Sequence, residues 1–197
     1  MSLESYLLQN PKKHLIFDLD ETIVYLHMPW SVWGRGIAEI IRKYDPELLQ
    51  TFPGWYDLMS NELIKKHGDK ARNDIVDFWV NFEEEYLTGY DKNPELINFI
   101  KNNGKGKSRY TFSLWTSNCL PTVEKVLGEL GILDYFETIA TRDKVNLIKP
   151  EVDGFELINS AKNFEKSDYL MIGDSQHDKN AAKNTGIDFF GINFFKL

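Results

Sequence analysis

The chain has 197 residues and a formal net charge of −7, and 42% of its residues are hydrophobic. This length suits one good-sized domain, or a core with a smaller inserted domain, and the composition can bury a core. The negative charge argues against non-specific nucleic-acid binding, which requires a basic surface, so we expect no nucleic-acid partner.

The cellular location is predicted from cysteine content and hydropathy. The single cysteine, Cys119, cannot form an internal disulfide, which fits a reducing compartment. The first residues lack the basic start and long apolar run of a signal peptide. No run of about 18 apolar residues occurs, so we expect no membrane span or membrane partner. We therefore predict a cytoplasmic protein, and its oligomeric state stays open.

The predicted core begins with an apolar run that contains three acidic residues. Residues 14–17 are a short apolar segment, which predicts a buried strand. Asp18, Asp20 and Glu21 follow it directly, although burying an unpaired carboxylate costs several kcal/mol or more. These acids therefore need partners or a function.

The next segment, residues 25–89, shows helical spacing and no clear strand. Apolar residues from Trp33 to Tyr44 recur at helical intervals, with Ser31 as a possible N-cap. Two further helices are predicted around 55–63 and 75–86. We interpret the segment as an all-helical insertion.

This interpretation divides the chain into two domains. Residues 1–24 and 90–197 would form the core, and residues 25–89 a helical cap. The acidic run Glu83–Glu85 is interpreted as a solvent-exposed helix face.

Strands and helices alternate after residue 90. Helices are predicted at Pro94 after the cap Asn93, near Pro121, at 152–164, and at 176–185 with Gly186 as a stop signal. The predicted strands are 110–116, 136–141, 169–173 and 187–192. This repetition predicts an α/β fold, a Rossmann-like parallel sheet with helices on both faces.

Polar residues follow several of these strands. In an open parallel sheet, ligands bind in the crevice at the carboxyl ends of the strands. Thr116 and Ser117 follow the strand at 110–116, and Asp174 and Asp178 follow the strand at 169–173. Lys149 lies between the third strand and its helix. We expect these side chains to meet Asp18 and Asp20 at one edge.

The residues at the strand ends could act together in one reaction. Asp18, Asp174 and Asp178 are hard oxygen ligands that suit Mg²⁺. A carboxylate beside Mg²⁺ can attack a phosphoryl group, and a second carboxylate two residues away, Asp20, can act as general acid and base. Thr116 and Lys149 can hold phosphate oxygens and offset charge in the transition state.

Four ordered segments carry a family resemblance. DLDET (18–22), LWTSN (114–118), KPEVDGF (149–155) and IGDSQHD (172–178) resemble the four motifs of the haloacid dehalogenase-like superfamily of phosphohydrolases. The helical insertion resembles the type-1 cap of that superfamily. Glu21 and His177 depart from the residues common in the motifs, which are glycine and asparagine.

The resemblance implies a role for each site residue. Asp18 would be the nucleophile and a metal ligand, and Asp20 the general acid/base, with its backbone carbonyl on the metal. Asp174 would bind Mg²⁺, and Asp178 would do so directly or through water. The phosphate-binding residues would be Thr116, Ser117 and Lys149, with Lys149 also in a catalytic role.

Alternatives remain at this point. Lys144 is a second candidate for the lysine, and Trp30 and Trp33 are candidates to line a substrate pocket. The leading function is a Mg²⁺-dependent phosphatase acting on a small phosphorylated metabolite. The alternatives are a sugar phosphomutase of the same superfamily and a phospho-aspartate signalling module. No role is assigned to Glu21.

Overall fold

Five parallel strands form the centre of the protein. The computed structural model describes residues 2–51, 54–106, 110–160, 162 and 164–196. Its strands are β1 (His14–Phe17), β2 (Val24–Leu26), β3 (Tyr90–Lys92), β4 (Thr111–Trp115), β5 (Phe136–Ala140), β6 (Tyr169–Gly173) and β7 (Asp188–Gly191). The main sheet has the order β5-β4-β1-β6-β7, so the first strand of the chain lies in the middle.

The central position of β1 explains its apolar sequence. Leu15 is paired with Phe112 on one side and with Leu170 on the other, and all four residues of β1 are buried. Because successive side chains point to opposite faces, Leu15 and Phe17 enter one apolar cluster and Ile16 enters another. A strand that is buried on both faces is apolar at nearly every position.

Helices cover both faces of the sheet. These helices are α1 (Leu3–Gln9), α6 (Pro94–Asn103), α7 (Leu120–Glu129), α8 (Asp153–Ser160) and α9 (Gln176–Thr185). The cluster around Leu15 and Phe17 includes buried residues of α1, α6 and α7, and the cluster around Ile16 includes those of α8 and α9. The predicted α/β fold class, a parallel sheet with helices on both faces, is confirmed.

Among the described residues, four helices occupy the segment between β2 and β3. They are α2 (Trp30–Tyr44), α3 (Leu48–Thr51), α4 (Tyr56–His67) and α5 (Asp69–Tyr86). They have an apolar cluster of their own, which Cys119 joins from the start of α7. The flanking strands β2 and β3 pair antiparallel and close the base of this helical segment. This two-stranded ribbon, α1 and α3 were not predicted from the sequence.

The ends of several helices test the sequence predictions. Asn93 caps α6, because its side chain accepts a hydrogen bond from Leu96 N, and Gly186 ends α9 with φ 76°. Ser31 was wrongly predicted as an N-cap: α2 begins at Trp30, so Ser31 lies in its first turn. The predicted helix at 152–164 ends at Ser160, and residues 161 and 163 lie outside the described residues.

Hydropathy along the helices bears on the predicted lack of a membrane span. Among the described residues, no helix is both long and apolar enough to cross a membrane.

His14 is the one polar residue of the central strand. Its side chain is fully buried, with Nδ1 2.6 Å from Thr111 Oγ1 and Nε2 2.9 Å from Ser113 Oγ. Burial, and secondly the charge of Lys162, lower the pKa of His14 to about 3. Between that value and the ordinary histidine pKa, only the unfolded chain binds the proton, so His14 makes the fold less stable as the pH falls.

We expect wild type to lose stability relative to a His14→Asn variant as the pH falls. The loss should approach about 1.4 kcal/mol for each pH unit below about pH 6, because asparagine can bond the two hydroxyls but cannot titrate. Urea unfolding of both proteins at pH 7, 6 and 5 measures the difference. Parallel stability curves would contradict this account of His14.

Candidate active site

The predicted residues meet at one edge of the sheet. A cavity of about 230 Å³ lies between the strand ends and the helical segment. Six of the seven predicted site residues line it, namely Asp18, Asp20, Thr116, Ser117, Lys149 and Asp174. A larger cavity of about 540 Å³, near α1, α6 and the end of β7, contains none of them. The smaller cavity is therefore the candidate site.

Lys149 is the buried cation of this site. Its Nζ donates hydrogen bonds to Asp18 Oδ1 at 2.7 Å, to Asp178 Oδ1 at 2.5 Å and to Trp115 O at 2.9 Å. Burial disfavours the ammonium, but the carboxylates of Asp178 and Asp18 outweigh it and raise the pKa of Lys149. Lys144, the alternative lysine, is exposed in a short 3-10 turn and does not line the cavity.

Three carboxylates cluster at this site, and two of them, Asp18 and Asp178, are bonded to Lys149. Asp18, Asp174 and Asp178 each offer an oxygen, and these oxygens lie within 4.8 Å of one another. Burial, together with the charges of its acidic neighbours, raises the pKa of Asp18 to about 8 against the pull of Lys149. Burial and Asp178 raise the pKa of Asp174 to about 6. The single positive charge of Lys149 therefore does not balance the negative charges of the three carboxylates.

Asp178, the seventh predicted site residue, does not line the cavity and is fully buried. It is the third residue of α9 and forms a capping box with Ser175. Asp178 Oδ2 accepts hydrogen bonds from Ser175 N at 3.0 Å and Ser175 Oγ at 2.6 Å, while Asp178 N donates to Ser175 Oγ. Gly173 makes room for this carboxylate, because a Cβ there would lie 2.5 Å from Asp178 Cγ.

Asp20 lies outside the three-carboxylate cluster. Its Oδ1 accepts hydrogen bonds from Leu26 N at 2.7 Å and Glu21 N at 3.1 Å. Burial, partly offset by these bonds, raises the pKa of Asp20 to about 7. A carboxyl group that titrates near neutral pH suits general acid and base chemistry.

The loop after β4 contributes Thr116, Ser117 and Asn118 to the cavity wall. Thr116 Oγ1 donates to Asn118 Oδ1 at 2.9 Å and accepts from Asn118 N at 3.2 Å. This pair of bonds folds the loop tightly on itself. Asn118 was not predicted as a site residue.

Two further charged residues around this loop were missed. Glu83 was wrongly interpreted as part of a solvent-exposed face: it is buried, whereas Glu84 and Glu85 are exposed. Arg142 is also buried, and its Nη2 donates to Asp57 Oδ1 of α4 at 2.8 Å. Local sequence carries no signal for either residue, because their partners lie far away along the chain.

The helical segment covers the cavity with aromatic side chains. Trp30 and Trp33, the predicted candidates for a substrate pocket, line the cavity together with Trp79 and Asp57. The rings of Trp33 and Trp79 lie 5.0 Å apart, and the guanidinium of Arg142 lies 3.8 Å from the centre of the Trp79 ring. The wall above the acids is therefore largely aromatic.

Glu21 lines the cavity in an unfavourable backbone conformation. Its φ is 55°, in the left-handed region that favours glycine. A residue with a Cβ is disfavoured there by roughly 1–2 kcal/mol.

We expect a Glu21→Gly variant to have a free energy of unfolding about 1 kcal/mol higher than wild type, because glycine adopts this conformation without a steric cost. The matched control is Glu21→Ala, which removes the same carboxylate but keeps the Cβ, and should lack this gain. Urea unfolding measures both. Equal gains would attribute the effect to the lost charge instead of the backbone.

Comparison with known proteins places this chain among related sequences and folds. Residues 15–192 match the family model described as haloacid dehalogenase-like hydrolase. The pyrophosphatase PpaX of Listeria monocytogenes is 25% identical over 184 residues, covering 86% of this chain and 78% of PpaX. A candidate haloacid dehalogenase-like hydrolase from Bacteroides fragilis superposes with a TM-score of 0.63 at 16% identity, covering 93% of this chain and 88% of that one. A HAD-hydrolase of Bacillus subtilis bound to magnesium superposes with a TM-score of 0.55 at 18% identity, covering 92% and 89%.

Proposed function

The chain belongs to the haloacid dehalogenase-like hydrolase family, and we propose that it is a Mg²⁺-dependent phosphatase acting on a small phosphomonoester. One observation carries this proposal. The ends of β1, β4 and β6 bring carboxylates and a threonine around one cavity, and the segment between β5 and α8 adds the buried Lys149. Such a set suits phosphoryl transfer to a carboxylate.

The carboxylate cluster fits a divalent cation. Asp18, Asp174 and Asp178 have oxygens close enough together to bind one ion, and hard oxygen ligands are those that Mg²⁺ prefers. The raised pKa values of Asp18 and Asp174 reflect burial and mutual repulsion, which a bound cation would relieve. When bound, Mg²⁺ would neutralise charge on these acids and on the substrate phosphate.

Asp178 and Asp20 would contact this cation less directly than Asp18 and Asp174. Asp178 bonds both Lys149 and Ser175, so it would reach the ion through water or after exchanging a partner. Asp20 would contribute its backbone carbonyl only, because its side chain lies outside the cluster of Asp18, Asp174 and Asp178.

The proposed reaction has two halves. A carboxylate oxygen of Asp18 attacks phosphorus, the bond from phosphorus to the leaving oxygen breaks, and Asp20 gives that oxygen a proton. A water molecule then attacks the aspartyl-phosphate, Asp20 takes a proton from the water, and Asp18 and inorganic phosphate are released. Thr116, Ser117 and Lys149 would bind the three oxygens that stay on phosphorus through both halves. For this, Thr116 would exchange its bond to Asn118, and Lys149 one of its three bonds, for a phosphate oxygen.

The helical segment would act as the cap of this enzyme. Residues 25–89, proposed as a domain separate from the core at 1–24 and 90–197, would exclude water and contact the leaving group through Trp30 and Trp33.

The proposal includes a cytoplasmic location, favoured by the single unpaired Cys119. Release of inorganic phosphate from a sugar phosphate without isomerisation would separate a phosphatase from a phosphomutase.

Asp18→Asn should lower phosphatase turnover by at least ~10³-fold, because the amide oxygen is a poor nucleophile. Release of inorganic phosphate from p-nitrophenyl phosphate with Mg²⁺ measures this loss. The matched control is Asp20→Asn, which keeps the nucleophile and should accumulate phosphoenzyme that mass spectrometry detects. Circular dichroism checks that both variants fold. Undiminished turnover of Asp18→Asn would remove Asp18 as nucleophile.

Mg²⁺ should raise the thermal unfolding midpoint of wild type, because it binds the folded carboxylate cluster and not the unfolded chain. EDTA should reverse this shift and abolish turnover. Asp174→Asn should lose most of the shift. Asp134→Asn changes an exposed acid that does not line the cavity, and it should keep the shift. An equal shift in wild type and Asp174→Asn would place the ion elsewhere.

A further inference from the structure

The helical segment sends one buried carboxylate into the loop that follows β4. Glu83 of α5 has Oε1 3.1 Å from Asn118 Nδ2 and Oε2 2.9 Å from Cys119 N, and both nitrogens donate to it. Thr122 also bonds this carboxylate, and burial raises the pKa of Glu83 to about 7. Glu83 thus reaches across from the helical segment to the core.

The bonds continue from Glu83 to the cavity. An ionised carboxylate only accepts hydrogen bonds, so Glu83 requires the amide nitrogen of Asn118 to face it. The amide oxygen of Asn118 then points the other way and accepts the hydroxyl proton of Thr116. One acid outside the cavity therefore fixes the orientation of an amide and a hydroxyl in its wall.

Arg142 holds the carbonyl groups of the same loop. Its Nε donates to Ser117 O at 2.9 Å, and its backbone N donates to Asn118 O at 3.1 Å. Glu83 thus binds the donors of the loop and Arg142 binds its acceptors. The loop is enclosed by groups that do not line the cavity.

We propose that Glu83 is a positioning residue that sets phosphate affinity by holding Asn118 and, through it, the conformation of the loop that contains Thr116 and Ser117. The inference rests on the proposed phosphatase function, in which Thr116 binds phosphate. It makes the helical segment a structural part of the phosphate site, because α5 supplies the carboxylate that orders the loop.

A donor–acceptor swap tests this role. Asn118→Asp alone places two carboxylates face to face, and should raise both KM and the inhibition constant of inorganic phosphate at least ~10-fold. Glu83→Gln alone frees the Asn118 amide to turn and should raise both about threefold. The double variant Glu83→Gln/Asn118→Asp restores a donor opposite an acceptor and leaves an oxygen facing Thr116. Because its carboxylate at position 118 still lines the cavity, its KM and inhibition constant should fall at least about threefold below those of Asn118→Asp without reaching the wild-type values.

The measurements are made at pH 8, where Glu83 is ionised, with p-nitrophenyl phosphate as substrate, inorganic phosphate as inhibitor and saturating Mg²⁺. Unfolding midpoints are measured for every variant. Midpoints that shift while KM and the inhibition constant stay at wild-type values would reduce Glu83 to a structural role and overturn the inference. A double variant as impaired as Asn118→Asp would also overturn it.

Two further outcomes remain decisive. If Asn118→Asp alone does not fold, the double variant must fold and still bind inorganic phosphate, and its failure to do so overturns the inference. A wild-type protein that neither turns over p-nitrophenyl phosphate nor binds phosphate would refute the proposed function itself. Active wild type with unaffected variants would refute only the role of Glu83.

Discussion

A buried ammonium joins the elements that form this site. Lys149 donates to Asp18 after β1, to Asp178 in α9 and to the carbonyl of Trp115 at the end of β4. Removing a lysine charge from water costs several kcal/mol, and only well-placed partners offset that cost. Loss of either carboxylate would leave charge uncompensated, so the relative positions of three strand ends depend on this one group.

The parallel sheet makes that arrangement possible. Because β1, β4 and β6 run in the same direction, their carboxyl ends and the loops that follow lie on one edge. Apolar residues on both faces fix the strands, and the polar residues begin where the strands end. The absence of a side chain at Gly173 lets Asp178 pack against the strand end and reach Lys149.

Much of this arrangement could be predicted from sequence, because its signals are local. The buried strands β1 and β6 are short apolar runs, and the acids at their ends stand out against them. The ribbon of β2 and β3 has three residues in each strand, too few to show a period. Glu83 and Glu84 are the same residue type, so the sequence does not distinguish them. Glu83 is buried against the core, where it binds Asn118, 35 residues away along the chain. The position of Arg142 likewise depends on tertiary contacts.

Glu83 also completes the N-terminus of α7. Cys119 stands at the N-cap of α7, and its side chain makes no capping hydrogen bond. The first N–H groups of a helix need acceptors, and here Glu83 binds the N–H of Cys119 while Asp143 Oδ1 binds that of Leu120. A negative charge is also favoured at this end of a helix by the helix dipole. The helical segment therefore completes a helix of the core, and the loop of Thr116 depends on that completion as much as on the sheet.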